Sequence, residues 1–562
     1  MHPIIECVPN FSEGHDLDLI RQITDQISQT EGVRLLNVDP GKTTNRTVVT
    51  FVGGPDAVIE AAFLAIQKAG ELIDMRKHKG EHPRMGATDV CPLIPVSGIT
   101  MEETAAYAKL LAKRVGDELK IPVYLYEAAQ PNKARSNLSV IRAGEYEGFP
   151  KKMKDSAWKP DFGPDSFDLQ RGATVIGARD FLVAYNVNLN TTSVRRANAI
   201  AFDVREAGRV KREGNPLTGK IIRDENDKPV SVPGTLKSVK AIGWFIEEYG
   251  IAQISMNLTN IQTTPVHVAF DEVCRKANER GIRVTGSELV GLIPLHSMLE
   301  AGRYFLKKQK RSTGVSEKEL IRIAIKSLGL DELGPFKPEE KIIEYLLKND
   351  GEDLLASMSL SGFADETASE SPAPGGGSIS AYLAALGAAL GAMVANISAH
   401  KKGWDDRWEE FSEWAEKGQA LKKELLVLVD QDTIAFNRIM AAFGLPISGK
   451  EEEQTRKKVI QEATRHAMEV PFQVMKAASA SMELIRAMAE KGNPNSVSDA
   501  GVAALCARSA VMGAFMNVRI NASGCEDKAF ASSMIESGKL IEAKTINDEK
   551  EILDIVNRKI GI

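Results

Sequence analysis

The chain has 562 residues, 43% of them hydrophobic and 26% charged, and a formal net charge of −5. This length predicts several hydrophobic cores, and the composition excludes disorder over most of the chain. The five scattered cysteines argue against a disulfide scaffold, and the charge provides no overall basic field for nucleic acid.

Charge is distributed unevenly. Residues 1–330 carry 45 basic and 40 acidic side chains, whereas residues 331–562 carry 26 and 36. The formal charges of +5 and −10 suggest two units with different roles. The first residues show no secretory signal, so a cytoplasmic location is expected.

Strand and helix patterns alternate through the first 330 residues. The patterns predict strands at 4–8, 33–38, 47–52, 90–94 and 123–126, and helices at 16–30, 55–74 and 101–119. The order βαββαβ is the ferredoxin-like arrangement. A comparable order follows: a strand within 174–189, a helix at 193–208, a hairpin of 239–247 with 251–258, a helix at 266–280, a strand at 282–289 and a helix at 297–308. We therefore predict two ferredoxin-like α/β subdomains, residues 1–173 and 174–330.

The pattern changes after residue 330. Residues 331–340 have the composition of a linker, and strand patterns almost vanish beyond them. Helices are predicted at 341–348, 378–399, 405–443, 451–490 and 498–521 and after residue 528, which makes 341–562 an all-α helical bundle. Residues 371–399 carry no charge, but their Ala, Gly and Ser content favours a buried helix over a membrane span.

Two histidines lie among basic residues at 76–84 (RKHKGEHPR). Nearby positive charge disfavours imidazolium, so His82 is expected to be neutral and able to act as a base. A solvated basic loop is the alternative. His78, Glu81 and His82 also match the H-x-x-E-H zinc pattern, but Gly80 and Pro83 disfavour the helix which that motif needs.

The segment 39–44 (DPGKTT) resembles the end of a P-loop. A nucleotide-binding loop needs glycine five positions before Gly41, and that position is Leu36. A turn between strands is the better interpretation. Asp39, Asn45 and Arg46 nevertheless lie where strands are predicted to end.

Asp432 interrupts an apolar helical stripe formed by residues 425, 428, 429, 436 and 439. A buried carboxylate is costly and has a raised pKa, which makes Asp432 a candidate acid or base. The alternative is a structural carboxylate paired with an arginine such as Arg508. Asp430 lies off the stripe and is the weaker candidate.

Two helix starts rich in small residues accompany this aspartate. Residues 374–378 (PGGGS) would present backbone N–H groups to an anionic or polar ligand, and residues 498–501 (SDAG) would cap another helix. Either could serve packing alone.

Taken together, these segments resemble a known family. The segments 4–14, 44–53, 80–95, 172–189 and 286–295 are similar to glutamate formimidoyltransferase. Residues 373–381 (APGGGSISA), 428–436 (LVDQDTIAF) and 498–504 (SDAGVAA) resemble formimidoyltetrahydrofolate cyclodeaminase. The order and length resemble the bifunctional family that joins the two, with an inserted segment at 211–232.

The resemblance implies two folate reactions. The first moves the formimino group from N-formimino-L-glutamate to N5 of tetrahydrofolate, and the second forms 5,10-methenyltetrahydrofolate and ammonia. It implies that His82 is the proton acceptor of the transferase and that Asp432 serves the deaminase. The folate-binding loop it implies comprises Gly163, Pro164, Asp165, Ser166, Phe167, Asp168, Leu169, Gln170, Arg171 and Gly172.

The resemblance also implies tetrahydrofolate as co-substrate, no metal, polyglutamated folate passing between sites, and a homo-oligomer in the form of an octamer built from dimers. Two alternatives remain open. The helical half could be an oligomerisation or folate-binding module beside a single transferase activity. The chain could also be a metal-dependent hydrolase using His78, Glu81 and His82.

Overall fold

The computed structural model describes residues 3–41, 45–79, 84–214, 218–347 and 354–561. The chain divides into two compact units. One comprises Met1–Met298 with Leu328–Lys348, and the other comprises Leu299–Ser327 with Asn349–Ile562. We call them the α/β unit and the helical unit.

The first sheet of the α/β unit has the order β3-β4-β1/β2-β5-β7-β6, in which β1 and β2 both lie between β4 and β5. The strands are β1 (Ile4–Cys7), β2 (Asn10–Phe11), β3 (Val33–Gly41), β4 (Arg46–Gly53), β5 (Thr88–Ser97), β6 (Val123–Glu127) and β7 (Thr174–Ala178). The helices are α1 (Leu17–Ser28), α2 (Pro55–Leu72), α3 (Met101–Glu118), α4 (Leu138–Arg142) and α5 (Glu145–Lys152).

The helices of this sheet begin where the sequence provides caps. Asp16 accepts hydrogen bonds from the first turn of α1, and Thr100 with Glu103 forms a capping box on α3. The predicted apolar face of α2, residues 58, 62, 66 and 69, is fully buried against the sheet. One face of the sheet is thereby covered by α1, α2 and α3.

Strand β7 differs from the predicted division at residues 173 and 174. It pairs in parallel with both β5 and β6, so residues 174–178 belong to the first sheet. The 174–189 pattern contains two strands rather than one. The second of them, β8 (Val183–Leu189), starts the next sheet.

The second sheet is antiparallel, with the order β11-β12-β8-β13. Its strands are β8, β11 (Val239–Ile246), β12 (Ile251–Leu258) and β13 (Val284–Val290), and its helices are α6 (Val194–Val204) and α7 (Val266–Asn278). The predicted hairpin is formed by β11 and β12. The segment 211–232 is bounded by a small sheet of β9 (Arg209–Val210) and β10 (Ser231–Val232), and residues 215–217 lie outside the described chain.

The segment between the sheets and the bundle also differs from the prediction. Helices α8 (Leu295–Lys308) and α9 (Glu317–Leu328) follow the second sheet. Residues 299–327, which contain most of both helices, cluster with the helical unit. The predicted linker, residues 331–340, clusters with the α/β unit. Its last residues form α10 (Pro338–Lys341), followed by α11 (Ile343–Leu346), and Ile293 N donates to Lys341 O at 3.0 Å.

The rest of the helical unit is a bundle, as predicted. Its helices are α12 (Leu360–Thr367), α13 (Gly376–Ala399), α14 (Trp408–Phe443), α15 (Lys450–Lys491), α16 (Val497–Gly524) and α17 (Lys528–Ile560). The long pattern at 451–490 forms one continuous helix, and the pattern at 405–443 forms a short 3₁₀ turn at 405–407 followed by the continuous helix α14. Alanine and glycine on α13 let α14, α15 and α16 pack closely around it.

Two stretches of the described chain, Gly376–Ala399 and Pro494–Gly524, are long and apolar enough to cross a membrane. In the structure, 61% and 50% of their most apolar windows are buried. Core helices of soluble proteins satisfy the same criterion, and α13 has this position at the centre of the bundle.

Candidate functional site

His82 lies outside the described residues, together with Gly80, Glu81 and Pro83, but both flanks of this segment are described. On one flank, Asn45, which directly precedes β4, is hydrogen-bonded to Lys79. Its Nδ2 donates to Lys79 O at 2.8 Å, and its Oδ1 accepts from Gly14 N at 2.9 Å.

His78, on the same flank, has hydrogen bonds at both ring nitrogens. Nε2 lies 2.8 Å from the carbonyl oxygen of Asn45, and Nδ1 accepts from Arg84 Nε at 3.2 Å. A carbonyl accepts and a guanidinium donates, so this arrangement selects the neutral Nε2–H tautomer. Burial and the charge of Arg84 lower the pKa of His78. In this state neither nitrogen has a lone pair free for a zinc ion.

In the structure, carboxylates compensate part of the positive charge of the basic residues at 76–84. Arg84 is only 7% exposed, and its guanidinium donates to Glu145 at 3.2 Å and to Glu147 at 2.7 Å. Arg76 pairs with Asp74 at 2.8 Å. The argument that fixed cations keep His82 neutral is therefore weaker, because carboxylates compensate two of these cations: Asp74 beside Arg76 in the sequence, and Glu145 and Glu147 of α5 at Arg84. The interpretation as a freely solvated loop fails at Arg84.

The predicted folate loop, residues 163–172, ends against the other flank. Ala87 N donates to Arg171 O at 2.8 Å, and Ala173 N donates to Met85 O at 3.1 Å. A Cβ at Gly86 would lie 2.4 Å from Ala173 O, so only glycine allows this approach. The structure thus brings the end of this loop against residues 85–87, which follow His82 in the chain.

The loop has its own internal supports. Gly172 has a φ of +74° and donates from its N–H to Asp168 O at 2.7 Å. The Asp168 carboxylate accepts from Arg171 Nε at 2.6 Å. Phe167 contacts Tyr146 and Phe149, with ring centroids 5.3 and 6.1 Å apart. Its conformation is therefore held by packing on α5.

Asp89 is a buried carboxylate that the sequence analysis did not single out. The register of β5 shifts between Val90 and Thr88, which leaves Asp89 as the extra residue of a β-bulge. It accepts from Met85 N at 3.0 Å and from Arg142 Nη2 at 2.6 Å. Burial raises its pKa to about 6 against the opposing charges of Arg142 and Arg46. Of the predicted strand-end residues, Arg46 is therefore close to this carboxylate.

A cavity of about 430 Å³ lies between the two sheets of the α/β unit. Glu6 and Arg179 provide charge there, and Glu6 is 5% exposed. Burial raises the pKa of Glu6 to about 7, and the charge of Arg179 opposes this shift. The other lining residues are Val8, Leu36, Asn37, Val48, Thr50, Phe181, Leu182, Ala184, Val290, Gly291, Leu292, Glu340 and Lys341.

In the helical unit, Asp432 lies on α14 and faces the first turn of α13. Ser378 Oγ donates to Asp432 Oδ2 at 3.1 Å and also contacts Thr433 Oγ1 at 3.4 Å. A Cβ at Gly377 would lie 2.1 Å from Asp432 Oδ1, so the carboxylate occupies the space that a side chain would need. Burial raises the pKa of Asp432, while its hydrogen bonds with Ser378 oppose the shift.

The apolar stripe around Asp432 is shorter than predicted. Leu425, Leu428 and Val429 are buried, but Phe436 is 38% exposed, so Asp432 lies at the edge of the core and is half-buried. The postulated arginine partner is engaged elsewhere, because Arg508 pairs with Glu549 at 3.5 Å.

The other predicted features of the bundle differ in role. Asp430 accepts from Ala356 N at 3.4 Å, away from Ser378. Residues 498–501 do not cap a helix, because α16 begins at Val497 with Ser496 as its N-cap, and a Cβ at Gly501 would contact Val556 on α17. Asn517, which the sequence analysis missed, lies against Gly376 at the first turn of α13.

Among the residues with described positions, no group of three or more His, Cys, Asp or Glu side chains is placed to hold a metal ion.

Comparison with known proteins assigns both units. Residues 4–179 match the formiminotransferase domain, N-terminal subdomain, residues 184–348 match the formiminotransferase domain, and residues 359–539 match formiminotransferase-cyclodeaminase. These matches define a chain with a transferase-type and a cyclodeaminase-type part.

Full-length relatives have the same combination. The chain is 43% identical to the formimidoyltransferase-cyclodeaminase of Mus musculus over 97% of both chains, and 42% identical to that of Dictyostelium discoideum over the full length of both. It is 40% identical to the glutamate formimidoyltransferase of Thermoplasma acidophilum over 54% of this chain and 92% of that protein. The chain belongs to the formimidoyltransferase-cyclodeaminase family.

Proposed function

We propose that the α/β unit transfers the formimino group from N-formimino-L-glutamate to N5 of tetrahydrofolate. We further propose that the helical unit cyclises 5-formiminotetrahydrofolate to 5,10-methenyltetrahydrofolate and releases ammonia. The observation that carries both is full-length similarity to proteins named for the two activities. The half-buried Asp432 carboxylate with its raised pKa adds support for the second step.

In the transferase step, N5 attacks the formimino carbon and must lose its proton. His82 would accept this proton, and residues 163–172 would hold the folate. Support comes from the pairing of Arg171 and Ala173 with residues 85–87, which follow His82 in the chain. The 430 Å³ cavity lies within the same unit.

In the deaminase step, N10 attacks the formimino carbon, the N10 proton is removed, and the formimino nitrogen leaves as ammonia. Asp432 would take the proton from N10 and deliver it to the leaving nitrogen. A raised pKa suits a carboxylate that must both accept and donate a proton near neutral pH. Neither proposed step uses a metal.

The remaining family features are proposals of the same kind. Each α/β sheet with its helices would be a ferredoxin-like subdomain, supported by the strand orders β3-β4-β1-β5 and β11-β12-β8-β13. The enzyme would be cytoplasmic, act in histidine degradation and one-carbon metabolism, and accept polyglutamated folate. It would assemble as a homo-oligomer, an octamer built from dimers.

Measuring the product of each half-reaction tests the proposal. The full chain is incubated with N-formimino-L-glutamate and tetrahydrofolate, and glutamate and ammonia are each quantified. We expect both products, with ammonia formed faster than spontaneous cyclisation allows. Glutamate release with only spontaneous ammonia would instead support the single-activity alternative. Activity that is lost on chelation and restored by zinc would support the hydrolase alternative.

A further inference from the structure

Asn517 lies at the same turn of α13 as Asp432, and the proposed mechanism does not use it. Two successive glycines start α13, and each faces one polar side chain. An ideal Cβ on Gly377 would lie against the carboxylate of Asp432, and an ideal Cβ on Gly376 would lie 3.5 Å from Asn517 Nδ2 and 3.9 Å from Asn517 Oδ1. The carboxylate from α14 and the amide from α16 therefore flank the same turn of α13.

The orientation of the Asn517 amide is fixed by its helix. Nδ2 donates to Gly513 O, one turn earlier on α16, at 2.9 Å. This bond identifies Oδ1 as the other end of the amide. Within the described chain Oδ1 accepts no hydrogen bond, so it is available as an acceptor. Asn517 is half-buried and Gly376 is exposed, so this turn of α13 is accessible from solvent.

The substrate of the proposed deaminase has a donor that matches this acceptor. The formimino nitrogen of 5-formiminotetrahydrofolate carries N–H groups, and it is the atom that leaves as ammonia. When the C–N10 bond forms and the C–N bond to this nitrogen breaks, the N10 proton passes through Asp432 to the leaving nitrogen. A neutral acceptor at the same turn of α13 as Asp432 would hold this nitrogen without adding a second ionisable group.

We propose that Asn517 is a substrate-binding residue of the deaminase site, where Oδ1 accepts a hydrogen bond from the formimino N–H and selects nitrogen over oxygen at that position. This assignment rests on the proposed deaminase function. It adds a specificity determinant from α16 to the acid and base on α14. The formyl oxygen of 5-formyltetrahydrofolate, which is an acceptor, would face Oδ1 unfavourably.

The test compares a substrate and an analogue that differ at this one atom. In the full chain, Asn517→Ala should lower kcat/KM for ammonia release from 5-formiminotetrahydrofolate by roughly 10- to 100-fold, the range for losing a hydrogen bond to a charged group. The inhibition constant of 5-formyltetrahydrofolate should stay the same or fall. The ratio of these two constants is the readout, since a merely structural role would weaken both ligands together.

Asn521→Ala is the matched control. Asn521 lies one turn further along α16, and its Nδ2 also donates to a backbone carbonyl, that of Ala467, at 2.8 Å. This change removes the same type of bond away from Gly376 and should leave the ratio at its wild-type value.

Asn517→Asp provides a second measurement. It keeps an acceptor oxygen but places another carboxylate near Asp432, which should move the acidic limb of the pH profile of ammonia release to higher pH. An unchanged ratio in Asn517→Ala, whether or not turnover falls, would overturn the assignment, as would an unshifted pH profile in Asn517→Asp. Failure of the wild-type chain to release ammonia would overturn the proposed deaminase itself and this assignment with it, so the two failures are distinguishable.

Discussion

At the scale of single residues, Asp432 is held by one serine rather than by a cation. Asp432→Asn keeps the shape and removes the ability to transfer a proton. We expect the variant to fold, to retain formimino transfer and to lose ammonia release by roughly 10²–10⁴-fold. The measurement is ammonia release from preformed 5-formiminotetrahydrofolate, corrected for spontaneous cyclisation.

Asp430→Asn is the control for this change. Asp430 is on the same helix but accepts from Ala356 N, so it should have a smaller effect. Near-normal ammonia release by folded Asp432→Asn would return Asp432 to a structural role.

His82 can be tested independently of the deaminase. His82→Ala should depress formimino transfer by roughly 10²–10⁴-fold, the usual scale for loss of a general base. Ammonia release from supplied 5-formiminotetrahydrofolate should be unchanged, because that reaction is proposed for the other unit. Equal loss of both activities would contradict separate sites.

Glu6 predicts a pH dependence of stability. Its pKa is raised from 4.5 to about 7, so between these values the folded state keeps a proton that the unfolded state has lost. This group therefore lowers stability as the pH rises from about 4.5 to 7. Glu6→Gln cannot ionise, so its stability relative to wild type should increase over that window, by at most roughly 3 kcal/mol.

Thermal unfolding of both proteins at several pH values between 4.5 and 8 measures this effect. The exposed Glu225→Gln serves as control. A difference between Glu6→Gln and wild type that is the same at every pH would show that Glu6 does not keep its proton in the fold.

The sequence could identify Asp432, because the helical repeat of about 3.6 residues places this charged residue in a stripe of leucine and valine. It could not identify Glu6 or Asp89 in the same way. Each is a single acid in a largely apolar strand. The burial of Glu6 depends on the second sheet, and the burial of Asp89 depends on a β-bulge. The compensation of Arg84 depends on Glu145 and Glu147, about 60 residues away, and no local pattern reveals it.

At the scale of elements, the folate loop depends on the contact of Gly86 with residues 171–173. In Gly86→Ala the added Cβ would lie 2.4 Å from Ala173 O and 2.6 Å from Arg171 O, so the backbone must shift. We expect formimino transfer to fall at least about tenfold, on the scale expected when binding groups are misplaced, while ammonia release persists. Measuring both activities in one preparation separates this local effect from unfolding.

Gly54→Ala is a suitable comparison, because nothing lies within 4 Å of a Cβ there and φ is −63°. It should leave both activities intact. Full transferase activity in Gly86→Ala would mean that the anchoring of this loop does not matter for catalysis.

Long helices and the hairpin of β11 with β12 were predictable, because their periodicity extends over many residues. The first strand was predicted as one segment, 4–8, yet the chain forms β1 and then β2 beyond Val8 and Pro9. Proline provides no N–H for a ladder, which explains the interruption. The pairing of β7 was not predictable, since a strand pattern specifies neither its sheet nor its neighbours.

At the scale of the whole chain, composition identified an α/β part and a helical part but misplaced residues 299–327. Their helical pattern is compatible with either part, and only tertiary contacts decide between them. Thr313 N donates to Ser412 Oγ at 3.0 Å, and Asn396 Nδ2 donates to Gly314 O at 2.8 Å. A close approach of Gly302 to Leu320 also joins α8 to α9.

These contacts predict how the helical unit should be truncated. A fragment 295–562 retains α8 and α9, whereas 335–562 removes both helices and leaves Ser412 and Asn396 without these partners. Buried side chains such as Leu320 and Ile321 are also lost with the helices, and each contributes roughly 1.5–3 kcal/mol when it is fully buried. We therefore expect 295–562 to unfold at a temperature several degrees higher than 335–562, measured by circular dichroism at equal concentration. Thr313→Val in the longer fragment removes the hydroxyl that contacts Ser412 and should lower its midpoint part of the way. Equal midpoints for the two fragments would show that residues 299–327 add nothing to the bundle and that the linker at 331–340 is the better boundary.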